Sequence, residues 1–364
     1  MHTAKNKKGE RIMKKVLSIV LSLAMVLSMT LLFASCGGDD NGGAEGETYT
    51  FRIAHLQTEQ SAAGQSFQHL KETLEEKSEG RIQVELLGGG TMASGDTELA
   101  ELVRAGTVEM VPIPTHALSG LVAIPEYRVF EMPYLFSSWD EIYTVLDSDL
   151  AQEWTKPLQE KAGVKVYGGL VKGWLSVGLK GDPLSTPNDL KGKKVRTMAT
   201  DMQQGLIKAL GGSPTMVAYG ELFTAIQQGT VDGSLTATNL YVADRFAEVV
   251  DSLSIIRATA HFHLPTVNLA WYNSLPENLQ AIFDECMDDY LDFARDAEKQ
   301  ADTDAINQMQ NEMGVTVKEF TDEELAPFKE ATHQLFTDNV AACGEGTIDG
   351  VLGLLGKSEA DIFG

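Results

Sequence analysis

From Thr48 to Leu56 the chain reads TYTFRIAHL, an alternation of apolar and polar positions rich in β-formers that predicts a first strand. AGQSFQHLKETLEEKS (63–78) then places apolar residues at helical spacing and stops before Gly80. RIQVELL (81–87) predicts a second strand, GDTELAELVRAG (95–106) a second helix and VEMVPIP (108–114) a third strand. Strands and helices alternating through short loops predict a mostly parallel sheet with helices on both faces. DEIYTVLDSDLAQEWTKPLQEKAG (140–163) predicts further helix, and VKVYGGLVKGWLSVGL (164–179) returns to strand texture.

A second unit repeats the alternation. KKVRTM (193–198) predicts a strand, DMQQGLIKALG (201–211) a helix, and GELFTAIQQGTVDGSLT (220–236) a helix running into another strand. From Ser274 to Gly314 the helical pattern is almost unbroken. One straight helix of that length would measure about 60 Å, longer than a small domain is wide, so it is either two helices or one that runs along both halves. Two α/β units joined by crossing strands predict an α/β fold with a ligand cleft between domains.

The first 35 residues change this picture. Lys5, Lys7, Lys8, Arg11, Lys14 and Lys15 precede an uncharged apolar run, Val16–Ser35, the grammar of an export signal. The run is also about long enough for a membrane span. FASCGGDDNGGAEGE (33–47) then puts small residues before Cys36 and a Gly- and acid-rich tether after it. This resembles a bacterial lipoprotein signal, with cleavage before Cys36 and a lipid on its thiol, although Phe33 stands where Leu is usual. Met13 offers a second start.

The whole chain of 364 residues carries a net charge of −23. Removing residues 1–35 takes away six cations and Glu10, leaving 23 basic and 51 acidic residues, a net charge near −28. That balance argues against nucleic acid or anionic lipid as the main partner. With the Cys36 thiol lipidated, only Cys286 and Cys343 remain as thiols; they could pair in an oxidising compartment, but Cys286 falls in an amphipathic helix (LQAIFDECMDDYLDF) as a core position.

Two motifs invite chemistry and do not sustain it. LLGGGTMASGD (86–96) loosely fits a dinucleotide fingerprint, Gly88-x-Gly90-x-x-Ala93 with Glu109 about twenty residues on. The glycines do not lead straight into the helix, which starts only at Gly95–Asp96, so a loop rimming a cleft is the better reading. His261-x-His263 puts two imidazoles on one face of a strand, yet no neighbouring Cys, Asp or Glu completes a metal set. No G-x-S-x-G, H-E-x-x-H or Cys–His pattern supports nucleophilic chemistry.

STPNDLKGKKVRTM (185–198) concentrates four cations in this acidic chain. If Lys194–Arg196 is strand, Arg196 shares a face with Lys194 and sits toward the carboxyl end, where a side chain reaches the cleft. Its planar two-pronged guanidinium matches a carboxylate. The three lysines read as a solvated turn; composition alone leaves Arg196 undecided.

PNDLKGKKVRTM (187–198), LGGSPTMVAYGELFTAIQQGTVDG (210–233) and WYNSLPENLQ (271–280) resemble, in order and spacing, the solute receptors of tripartite ATP-independent periplasmic (TRAP) transporters. SEGRIQVELLGGGTMASGDTELAELVRAGTVEM (78–110) and FEMPYLFSS (130–138) are similar to the first domain of that family. The resemblance implies a two-domain periplasmic-binding-protein-like fold, with hinge strands, a long helix spanning both domains and closure onto a small organic acid. It implies a receptor without cofactor or catalytic residues, extracytoplasmic and monomeric, handing its ligand to an ion-coupled membrane permease. The expected division is signal peptide 1–35, tether 36–48, domain I 49–173 with 262–301, and domain II 174–261 with 302–364.

In the family the arginine of the K-x-R segment clamps the ligand carboxylate, and here that is Arg196. Tyr219 would line the pocket, and Thr236, with Asn239 beyond it, stands near the place where relatives present Glu-Asn-Pro. Relatives carry a second arginine some twenty residues before the clamp; this chain has Ser176 there, with Trp174 close by. One guanidinium and an indole suit a monocarboxylate with an apolar or aromatic body better than a polyhydroxylated or doubly charged acid. From the first domain, His55, Asp96, Thr115 and His116 are expected on strand ends or loops facing the cleft. A binding protein of an ATP-driven (ABC-type) uptake system and a secreted α/β enzyme are the alternative readings.

Overall fold

The computed structural model describes residues 46–364. The proposed signal and Cys36, with most of the tether, lie outside the described residues. Residues 48–364 form one compact unit built as two lobes around a continuous 11-stranded sheet. In the first lobe β1 (Tyr49–Ala54) runs parallel to β2 (Ile82–Leu87) and β3 (Met110–Ile113). Phe51 and Ile53 of β1 are fully buried, as the alternation in the sequence requires.

Helix α1 (Ala62–Lys77) covers this sheet with Phe67, Leu70 and Leu74. It starts where the Ser61 hydroxyl accepts the Gly64 N–H at 3.1 Å. Helix α2 (Asp96–Arg104) buries Leu99, Ala100 and Val103. The sequence reading left 115–131 unassigned; the chain there forms α3 (Thr115–Leu121) and a 3-10 segment, Pro125–Glu131.

The strand-textured stretch after 163 is two strands, β4 (Val164–Val166) and the fully buried β5 (Leu170–Leu179). In the second lobe β6 (Lys194–Thr197) lies parallel to β7 (Ser213–Met216) and β8 (Gly233–Ala237). β9 (Ser252–Ile255) and β10 (Ala260–Asn268) follow. β10 pairs antiparallel with β3, β4 and β5, and β5 pairs antiparallel with β8 and β9. The sheet is therefore mixed where the sequence predicted mostly parallel pairing. A strand that carries the chain from one lobe back to the other runs against its neighbours, and two such strands make the centre antiparallel.

The long helical pattern is one helix, α4 (Glu277–Asn311), preceded by a short turn of helix, Leu269–Ser274. Its 35 residues span about 52 Å. Phe283, Cys286, Met287 and Tyr290 join the core under α1, with Tyr290 stacked 5.5 Å from Phe67. Ala305 and Met309, about four to five turns beyond Tyr290, belong to the other core cluster. α5 (Asp322–Asn339) and α6 (Thr347–Leu355) follow, and a short helix, Glu359–Phe363, comes last. Beyond α6, Lys357 reaches Glu141 of the first lobe at 2.6 Å. Cys286 and Cys343 are both free and buried.

Candidate ligand cleft

β6 begins at the surface and ends inside. Lys194 is exposed, Val195 is wholly buried, and Arg196 keeps 3% of its surface. The Arg196 Nε donates to the Val217 carbonyl at 3.0 Å, and the guanidinium lies 5.8 Å from the centre of the Tyr219 ring. Among the described residues no carboxylate lies within ion-pair distance of it, since every Lys or Arg pair within 4.0 Å involves another cation. Burial pulls its acidity constant below the usual guanidinium value, opposed by Tyr219, Asp96 and Tyr241. It stays cationic at any working pH.

Arg196 opens into a cavity of about 330 Å³. The first lobe contributes Ser94–Glu98 and His116, and the second Arg196–Ala199 and Met216–Tyr219. Asp96 is the first residue of α2, where the sequence put the helix start, and His116 is the second of α3, on a helix rather than on a strand end or loop. Their side chains approach to 3.8 Å. Burial pushes the Asp96 carboxyl up to about 6 despite the nearby Arg196, and pushes the His116 imidazole down to about 4 with Arg196 adding to the effect.

A smaller space beside it is lined by Thr115, His116, Glu131, Met198, Thr200 and His261. The Thr115 hydroxyl donates to Glu131 at 3.0 Å. Thr200, from the opposite lobe, lines the same space, so Glu131 stands where the two lobes face each other. It lies inside the FEMPYLFSS segment, but nothing in that segment distinguishes it from a surface acid.

The remaining candidates are dispersed. Tyr219 faces the cavity, while its hydroxyl donates to Asp244. Ser176 is wholly buried and its hydroxyl is engaged by Thr238 at 2.8 Å. Thr236 stands opposite Ser176 on β8; neither it nor Trp174 lines the Arg196 cavity. Asn239 donates to Glu298 of α4 at 2.7 Å and lines a separate cavity, also of about 330 Å³, with Lys172 and Glu298.

Lys172 escaped the sequence reading because it lies in an unbroken apolar strand. It is buried, and its ammonium contacts the Glu298 carboxylate directly. Burial pushes it down to about 7, opposed by Asp244.

The two motifs resolve into packing. A Cβ on Gly88 would lie 2.7 Å from Cε1 of His55, so that glycine makes room for a ring. Glu109 forms a two-pronged pair with Arg52 at 2.9 and 2.6 Å. The Nε2 atoms of His261 and His263 meet at 2.9 Å, and burial holds both rings neutral. His55 is buried too, and desolvation together with Lys172 lowers it to about 4.

Two lobes lining a cavity with a buried guanidinium at its wall form the kind of cleft in which a solute can be held, and comparison with known proteins supplies the assignment. The model of bacterial extracellular solute-binding protein family 7 matches residues 53–341, and the chain belongs to that family. It is 31% identical over 196 residues to an uncharacterized protein of Salmonella typhimurium, a match covering 52% of this chain and 57% of that protein. It is 23% identical to a C4-dicarboxylate-binding periplasmic protein of Rhodobacter capsulatus, over 84% of this chain and 90% of the relative.

Among solved structures, a sugar acid binding protein of Advenella mimigardefordensis in complex with galactonate is similar at a TM-score of 0.80 and 25% identity. That likeness covers 85% of this chain and 98% of the other. A TRAP periplasmic solute-binding protein of Sulfurospirillum deleyianum with bound succinate is similar at 0.78 and 20% identity, over 85% and 99%. These are binding proteins of transport rather than enzymes, and the family works outside the cytoplasm.

Proposed function

We propose that this protein captures a small monocarboxylate between its lobes and delivers it to the membrane permease of a TRAP-type transporter. The observation that carries the reading is Arg196: a buried cation with no carboxylate partner of its own among the described residues, at the wall of a cavity that both lobes line. A buried charge left in this way is stable only with a partner, and a ligand carboxylate supplies one. The family match favours a secondary permease over the ATP-driven alternative.

The same cavity supports one carboxylate rather than two. Arg196 is its single permanent cation, and a second acid group would face Asp96 and Glu98. Met198, Met216, Val217 and Ala218 offer an apolar wall, whereas the indole of Trp174 lies elsewhere. A thermal-shift screen tests this, because a ligand that binds only the folded state raises its melting point. Galactonate, pantoate or phenylacetate is expected to raise it more than succinate; a larger shift with succinate overturns the one-carboxylate reading.

Closure is proposed to hinge where β5 and β10 pass between lobes, dividing the chain as 49–173 with 262–301 and 174–261 with 302–364. The receptor is read as a monomer held to the outer face of the membrane by a lipid on Cys36. Cys36→Ser is expected to move the protein from the membrane to the soluble fraction, and a variant that stays membrane-bound points to an uncleaved helix instead.

A further inference from the structure

We propose that Asp96 is a proton acceptor coupled to capture: when an acid anion occupies Arg196, Asp96 takes up one proton, so that the protein binds its ligand together with a proton. This rests on Arg196 holding a carboxylate. Asp96 comes from the first lobe and Arg196 from the second, and both line one cavity. The Asp96 side chain keeps only 15% of its surface exposed. A ligand carboxylate on Arg196 places a second anion in the cavity that Asp96 already lines. Two carboxylates sharing such a site do not both stay ionised, and one takes a proton. Once protonated, Asp96 offers an O–H donor where it had presented a repelling charge.

The neighbours leave Asp96 as the group in that cavity that titrates between pH 6 and 8. Burial raises its carboxyl to about 6 before any ligand arrives. His116, lowered to about 4, is neutral throughout this range, and Tyr219, raised well above its ordinary value by burial, keeps its proton. Glu98 is on the exposed side, accepting the Ser94 N–H at 2.7 Å and the Ser94 hydroxyl at 3.1 Å. Lys172 and Asp302 are both shifted to about 7, but neither lines this cavity.

The sign follows from proton linkage. The complex carries more protons than the free protein above pH 6, so affinity rises as pH falls from 8 and levels off below 6. With the free carboxyl near 6 and the bound one protonated throughout this range, affinity should fall roughly fiftyfold between pH 6 and pH 8.

Calorimetry of the purified protein tests this, with galactonate, succinate, pantoate and phenylacetate as probes. Titrations at pH 7.5 in HEPES and in Tris, whose ionisation heats differ, should reveal uptake of about one proton per ligand bound. In Asp96→Asn the uptake should vanish and the affinities at pH 6 and 8 should converge. Binding without proton uptake in the unmodified protein overturns the inference, as does uptake that persists in Asp96→Asn, which would place it at Lys172 or Asp302. Absence of binding by all four acids overturns instead the reading of Arg196 as a carboxylate site.

Discussion

Arg196→Ala should weaken binding of any acid ligand by about a hundredfold or more while leaving the free protein as stable as before. The two halves of this expectation have one cause. In the proposed complex the guanidinium and the ligand carboxylate would form a charge-assisted, desolvated pair, and removing one partner of such a pair costs about 3–5 kcal/mol. In the free protein the same guanidinium is buried with one carbonyl partner at 3.0 Å and no ion pair among the described residues, a desolvated charge that stabilises nothing. Alanine removes that burden along with one hydrogen bond and some packing against Tyr219. Calorimetry for affinity and a melting curve for stability separate the two; a variant that binds as well as the parent refutes the clamp, and one that melts much earlier shows that Arg196 holds the lobes together unaided.

Glu298→Leu should produce the opposite pattern, a large loss of stability. Lys172 and Glu298 keep 3% and 1% of their side-chain surface, so deleting the acid leaves an unpaired buried ammonium. It also strips the Asn239 amide of its acceptor. Breaking a buried pair in this way costs about 3–5 kcal/mol, and the melting point should fall by roughly 10 °C. The double variant Lys172→Met with Glu298→Leu should recover most of the loss, because an apolar pair of similar volume needs no desolvation of charge. Urea unfolding of the three proteins decides it: a single variant as stable as the parent would mean that the pair carries no net stabilisation.

What the sequence revealed and what it hid follow from the range of the interactions involved. The alternation around Phe51 and the helical stripe of Phe67, Leu70 and Leu74 are local, and the corresponding elements stand where the pattern put them. The antiparallel centre of the sheet was hidden, because the partners of β10 lie about 90 to 150 residues away and no local signal reports them. Arg196 was legible as the one cation of its cluster at a strand end. Its setting was not: the burial of Ser176 beside Thr238, the engagement of Asn239 by Glu298, and the approach of Asp96 to His116 all join elements that no local pattern brings together. Lys172 shows the limit most sharply, since a lysine in an apolar strand reads as an exception until its partner on α4 is seen.

The return of β10 between β3 and β5 has a consequence for the order of synthesis and folding. Until residue 268 has been made, β3 lacks its antiparallel neighbour; until residue 311, α1 lacks the helix that completes its core. Neither lobe is finished from a continuous stretch of chain, so the early segments wait with open strand edges while the later ones emerge. Completion of both lobes therefore depends on segments made late, which favours folding after the chain is released over folding segment by segment.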